Sequence, residues 1–133
     1  MLHALRLRPG DELKSGIERF CEERGLNSAV IVSCVGSLEG CILRLANADR
    51  EHPNEIKTCT GRFEIVSLVG TVCGDGSHVH AGLADSTGKC VGGHLIEATV
   101  FTTAEIVVAN VDATFRRELD PATGFPELVA SGK

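Results

Sequence analysis

Three histidines fall within seventeen residues: His78 and His80 are one residue apart, and His94 directly follows Gly92-Gly93. In an extended segment, His-x-His points both imidazoles to the same side of the strand, with Cβ atoms roughly 6.5–7 Å apart. Two rings at that spacing can share one metal ion. A third imidazole from a neighbouring strand, reached through a Gly-Gly step that lets backbones approach closely, completes a three-ligand set with an open position. Zinc suits neutral imidazoles with no thiolate or second carboxylate at hand, and nickel, copper and iron are compatible by ligand type. The open position admits water, whose pKa bound zinc lowers to about 7, so hydrolysis is chemically accessible. Such chemistry needs a general acid or base, for which Glu64 is the best candidate, and an oxyanion stabiliser, for which Arg62 is the candidate. A structural ion pair or an interface contact is the plainer role for both. Asp85 is expected to cap a turn, its alternative being to orient a ligand imidazole. Cys73 and Cys90, which flank the histidines, are expected to pack as buried strand residues.

These side chains need strands to hold them. Leu2 to Arg8 has strand character and ends at Pro9-Gly10. Asp11 is the expected N-cap of an amphipathic helix, with Leu13, Ile17, Phe20 and Cys21 at helical spacing and Arg24-Gly25 as its end. Ala29 to Val35 is β-branched and nearly unbroken, the pattern of a strand buried on both faces. Gly36 and Gly40 are expected to punctuate it, with a separate strand from Cys41 to Leu45 and a surface loop from Asn47 to Asn54. Further strand signal covers Thr58–Cys59, Phe63 to Val72, His78 to Leu83, and Ile96 to Val111, the last as two strands or one bent one. Gly74-Asp75-Gly76 reads as a hairpin turn, Phe115 to Asp120 as a strand end or short turn, and the tail after Gly124 is poorly specified. One strong helix among seven or eight strands predicts an α+β domain, a mostly antiparallel sheet packed against that main amphipathic helix.

The chain of 133 residues fits one domain, taken as residues 1–133. With 43% apolar and 23% charged residues it has the composition of a folded protein, and five Phe with no Trp or Tyr leave the core to aliphatic side chains. A net charge of −5 repels a phosphate backbone, and the Arg6/Arg8 and Arg116-Arg117 clusters have acidic neighbours, so both are expected on solvated faces. Six dispersed cysteines without a Cys-x-x-Cys pair argue against a zinc-thiolate cluster. No apolar leader or eighteen-residue apolar run is present, so a cytoplasmic, reducing location is expected, with no membrane partner and with thiols acting as small buried hydrophobes.

Gly61-Arg62-Phe63-Glu64-Ile65, Ser67-Leu68-Val69-Gly70, His78-Val79-His80, Asp85 and Gly92-Gly93-His94-Leu95 follow one another in that order. Together with Val-Gly-Ser-Leu at 35–38, they make the chain from about Leu2 to Asp120 resemble the plants and prokaryotes conserved (PPC) domain family. The resemblance implies an α+β fold with an antiparallel sheet, assembly into a homotrimer, and a metal site on His78, His80 and His94. In plant relatives the segment matching Gly61 to Ile65 is linked to partner binding. No Arg-Gly-Arg-Pro AT-hook is present, so the chain is similar to the free-standing prokaryotic type, and nucleic acid is not an expected partner. The expected function is a homotrimer holding a divalent metal, zinc by default, with a small-molecule ligand-binding or regulatory role. The alternatives are a metal-dependent hydrolase or lyase acting on a small polar molecule, and a DNA-associated or protein-interaction scaffold with incidental histidines.

Overall fold

The aliphatic, β-branched stretches pair into a five-stranded antiparallel sheet in the computed structural model, which describes residues 1–53 and 55–132. In chain order the elements are β1 (Leu2–Leu7), α1 (Leu13–Glu23), β2 (Ser28–Arg44), β3 (Ile56–Cys73), β4 (Gly76–Ala84), β5 (Cys90–Asn110), β6 (Ala113–Leu119) and β7 (Pro126–Gly132). The sheet runs β1-β5-β2-β3-β4, and the start of β5 also pairs with β4, so the sheet curls back on itself. β6 and β7 form a separate hairpin. This is the expected α+β architecture, one helix against a mostly antiparallel sheet. The loop expected from Asn47 ends at Asn54, which lies outside the described residues.

The strands are longer than the glycines suggest. Instead of two strands divided at Gly36 and Gly40, β2 is continuous for 17 residues, and β3 joins Thr58–Cys59 to Phe63–Val72 in 18 residues. Gly36 marks a close approach rather than an end: a Cβ there would lie 2.0 Å from the Thr103 carbonyl oxygen on β5. Gly40, at φ +88°, sits where the β2–β3 register shifts between Glu39 and Cys41, a bulge that bends the ladder instead of stopping it. Burial of β2 on both faces is also corrected, since Val32 and Val35 are 52% and 67% exposed. The Ile96–Val111 run belongs to a single bent strand, β5, with four register shifts against β2. Phe115 to Leu119 lies within β6, and the poorly specified tail after Gly124 forms β7, stabilised by seven register partners rather than by strong local propensity.

Helix α1 buries Leu13, Ile17 and Cys21, at i, i+4 and i+8, into the same apolar cluster as Leu38, Leu43, Leu83, Leu95 and Ile106 of the sheet. Its end falls at Arg24-Gly25 as expected, Gly25 taking φ +66°. Its start is corrected by one residue. Asp11 accepts from the Arg8 backbone N–H, whereas Glu12 is the N-cap, accepting from the N–H groups of Lys14 (3.0 Å) and Ser15 (2.9 Å). Its longer side chain also accepts from the Ala98 N–H on β5 at 3.0 Å, tying helix to sheet. Glu12→Ala is therefore expected to cost about 2–3 kcal/mol, more than an ordinary cap, because a strand N–H loses its acceptor too. Urea melts of the two proteins check this, and a loss below 1 kcal/mol, the scale of capping alone, would exclude the sheet tie.

All six cysteines are free thiols; Cys21, Cys41, Cys59 and Cys73 are buried and Cys34 is half-buried. Burial, reinforced by Glu105, pushes Cys34 up to about 11. Burial and the neighbouring Cys59 thiol push Cys41 up to about 12, so both stay protonated and behave as apolar packing. Cys90 departs from the expected burial: it opens β5 beside the β4–β5 turn and is exposed.

Candidate metal centre

Alternation along β4 sends Val79, Ala81 and Leu83 into the core, which places His78 and His80 together on the opposite side. His78 lies across from Thr71 of β3, and His80 lies between Val69 of β3 and His94 of β5. His94 is the point where β5 passes from β4 to β2, since it is also opposite Arg44. The glycines before it make this possible. A Cβ on Gly92 would lie 2.7 Å from the Ala81 carbonyl oxygen and one on Gly93 2.8 Å from that of Arg44, so three strands converge only because both side chains are absent.

One ring nitrogen from each of His78, His80 and His94 lies within 4.8 Å of the other two. The Nε2 atoms of His78 and His80 are 3.1 Å apart, and ring centroids are separated by 4.9, 4.9 and 5.8 Å. Tetrahedral ligands about 2.05 Å from a metal are about 3.3 Å from one another, so the His78–His80 pair is already close to coordinating distance and His94 stands slightly wide. Two imidazole lone pairs facing each other at 3.1 Å repel unless a proton or a cation lies between them. The donor set fits a divalent metal.

The electrostatics favour the neutral form of His94 and His78, the form that offers a lone pair. Burial, followed by the charges of Arg44, His78, Lys14 and His80, holds His94 down at about 4. Burial and then His80 and Arg117 lower His78, against an opposing pull from Glu127. Because the folded pKa of His94 lies below its unfolded value of about 6.5, the unfolded chain binds more protons between these limits, and stability falls as pH drops from about 6.5 towards 4. In chelator-treated protein this loss is expected to be about 1–2 kcal/mol after solvent screening, and His94→Gln should flatten it. Urea midpoints at pH 7 and pH 5 provide the check, and identical slopes in the two proteins would contradict it.

A cavity of about 340 Å³ opens beside His78 and His94, bordered by Lys14, Arg44, Arg117 and Phe125. One Arg44 Nη is 3.2 Å from His94 Nε2, and the guanidinium carbon lies 5.2 Å from the centre of the Phe125 ring. Arg117 donates to Thr71 Oγ1 at 2.7 Å. The solvated face expected for Arg116-Arg117 holds for Arg116, which is exposed and pairs with Glu118, but not for Arg117, which β6 alternation turns inward. That alternation was its only signal in the sequence. Arg44 and Lys14 carried none, because strand register and helix packing bring them to His94 across 50 and 80 residues.

Arg62 and Glu64 do not border this cavity. The Arg62 guanidinium lies 4.0 Å from the centre of the Phe101 ring and borders a different hollow with Asp85 and Cys90. Glu64 is opposite Ser37 and Ala84, and Ala84 is four residues, about 13 Å, along β4 from His80. Asp85 caps the β4–β5 turn: its Oδ1 accepts from the Thr87 N–H and hydroxyl and the Lys89 N–H, which holds its carboxyl below the usual range.

The model of the Plants and Prokaryotes Conserved (PCC) domain matches residues 1–112. Two Synechococcus proteins named bifunctional protein GlmU are 41% identical to the chain over 129 residues, which is 96% of this chain. The chain spans only 20% of their length. A solved structure of a hypothetical protein from Salmonella cholerae-suis superimposes with a TM-score of 0.90 at 36% identity, covering 100% of this chain and 94% of that one. A metal-containing protein from Archaeoglobus fulgidus gives a TM-score of 0.83 at 28% identity, covering 97% and 93%.

Proposed function

Because the chain belongs to the Plants and Prokaryotes Conserved domain family, we propose that it is a cytoplasmic homotrimer that binds one zinc ion per chain through His78, His80 and His94 and uses that centre to bind a small molecule, in a sensing or regulatory role. The convergence of three imidazoles within 4.8 Å carries this proposal. The Archaeoglobus relative described as metal-containing supports a metal, and the all-nitrogen donor set favours zinc. A bound divalent cation would supply positive charge and an open coordination position, while the protein orients the ligand in the adjoining cavity. Trimer formation is supported by unpartnered apolar side chains on the strands: Val32, Val35, Val66 and Val69 are each more than half exposed. Free thiols and the lack of any described helix long and apolar enough to cross a membrane are compatible with a cytoplasmic site of action. The net charge of −5 speaks against nucleic acid as the ligand. A hydrolase using Glu64 and Arg62 would need both near the imidazoles, and neither borders their cavity.

Metal analysis and light scattering on untagged, natively purified protein test the proposal together. One zinc per chain and a mass about three times 14.1 kDa are expected. Metal-free protein that also fails to take up added zinc would overturn the centre, and a monomer would overturn the assembly.

A further inference from the structure

We infer that the cavity beside the imidazoles receives the oxyanion headgroup of a small carboxylate or phosphate, gripped by Lys14, Arg44 and Arg117; this rests on the metal centre proposed above and specifies the ligand it serves. The volume of about 340 Å³ lies at the small end of ligand cavities, room for a compact metabolite. Its charges are arranged unevenly. Among the described residues the ion pairs are His52–Asp49 and Arg116–Glu118, so none of the three cations has a carboxylate within 4 Å. Yet Glu18, Asp75 and Glu127 border the same space. Two of these acids are engaged by uncharged donors: Glu18 accepts from the Ser77 hydroxyl at 2.5 Å and Asp75 from the Arg117 backbone N–H at 3.1 Å. Those two acids are thereby held by the protein, leaving Glu127 as the acid that faces three cations with donors to spare.

Each cation is also positioned at some expense or by a specific support. Lys14 occupies the first turn of α1, where the helix dipole disfavours a cation and favours an anion. Arg44 lies against Phe125, and the N–H it now directs at His94 Nε2 must find another acceptor once a metal takes that lone pair. Arg117 is anchored by one donor on Thr71, which leaves the rest of its planar fork for bidentate contact with an oxyanion. Metal and anion are thus coupled in this proposal: a cation held through His94 Nε2 would release a guanidinium donor into the cavity.

Calorimetric titration of inorganic phosphate and of succinate into zinc-loaded protein tests this, with Lys14→Gln, Arg44→Gln and Arg117→Gln alongside and the zinc content of each measured. Saturable one-to-one binding is expected, weakened about tenfold to a hundredfold in each variant while zinc stays bound. Tighter phosphate binding assigns a phosphate ligand, and tighter succinate binding a carboxylate. Zinc-loaded protein that binds neither, or binding that Lys14→Gln leaves unchanged in a folded protein, overturns the inference and leaves the metal centre standing. Protein that binds the anion but never zinc overturns the metal centre instead. Lys14 is half-buried on a helix surface, so its variant remains informative should either arginine variant fail to fold.

Discussion

His94→Ala is expected to lower zinc affinity by about a hundredfold to a thousandfold, and His78→Ala and His80→Ala should do the same. Structural zinc binding of about 10–16 kcal/mol spread over four positions leaves roughly 3–4 kcal/mol per ligand, which sets that range. Competition with a chromophoric chelator measures it directly. His3→Ala and His52→Ala serve as controls, because His52 is engaged with Asp49 in a surface loop. Unchanged affinity in any one of the three ligand variants would show that its imidazole is not a ligand, however close it lies. The His94 variant carries extra information: removing that ring also frees the Arg44 guanidinium, so its effect on anion binding need not follow its effect on zinc.

Gly36→Ala is expected to cost 3 kcal/mol or more, or to abolish soluble expression. The added Cβ would lie 2.0 Å from the Thr103 carbonyl oxygen and 2.8 Å from the Ala104 Cα, and both obstacles are backbone, so no side chain can rotate aside. Relief requires β2 and β5 to separate, which breaks ladder bonds in the middle of the sheet. Gly74→Ala, in the β3–β4 turn with nothing within 4 Å of the added atom, should be nearly silent. Guanidinium melts of both variants compare the two environments. Similar midpoints for Gly36→Ala and the parent would mean that the two strands separate at little cost.

The features visible in the chain were those governed by local periodicity. Leu13, Ile17 and Cys21 announced α1, alternation placed His78 and His80 on one side, and Gly92-Gly93 marked a close approach that the structure realises against Ala81 and Arg44. Misplaced boundaries came from effects that local pattern does not encode. Asp11 is the better cap by type, but its carboxylate turns back to the Arg8 N–H, and Glu12 takes the helix N–H groups of Lys14 and Ser15 together with the distant Ala98 N–H. Gly36 and Gly40 look like breaks because the same residue serves turns, bulges and tight strand crossings, and the partner strand decides which. β7 is legible only through β6. At the centre itself, the three imidazoles were within reach of one another in sequence, whereas Arg44, Lys14 and Arg117 arrive through packing over long separations.

The β6–β7 hairpin has a consequence for how the protein could be diversified. All three imidazoles lie within the family-matched residues 1–112, while Arg117 and Phe125 are contributed by chain beyond that boundary. The three imidazoles and part of the chamber wall are therefore encoded in separate, contiguous stretches. Grafting a different hairpin onto the same β-scaffold would reshape the chamber with all three imidazoles left in place, which makes the β6–β7 hairpin the natural cassette for testing and redesigning the ligand preference proposed above.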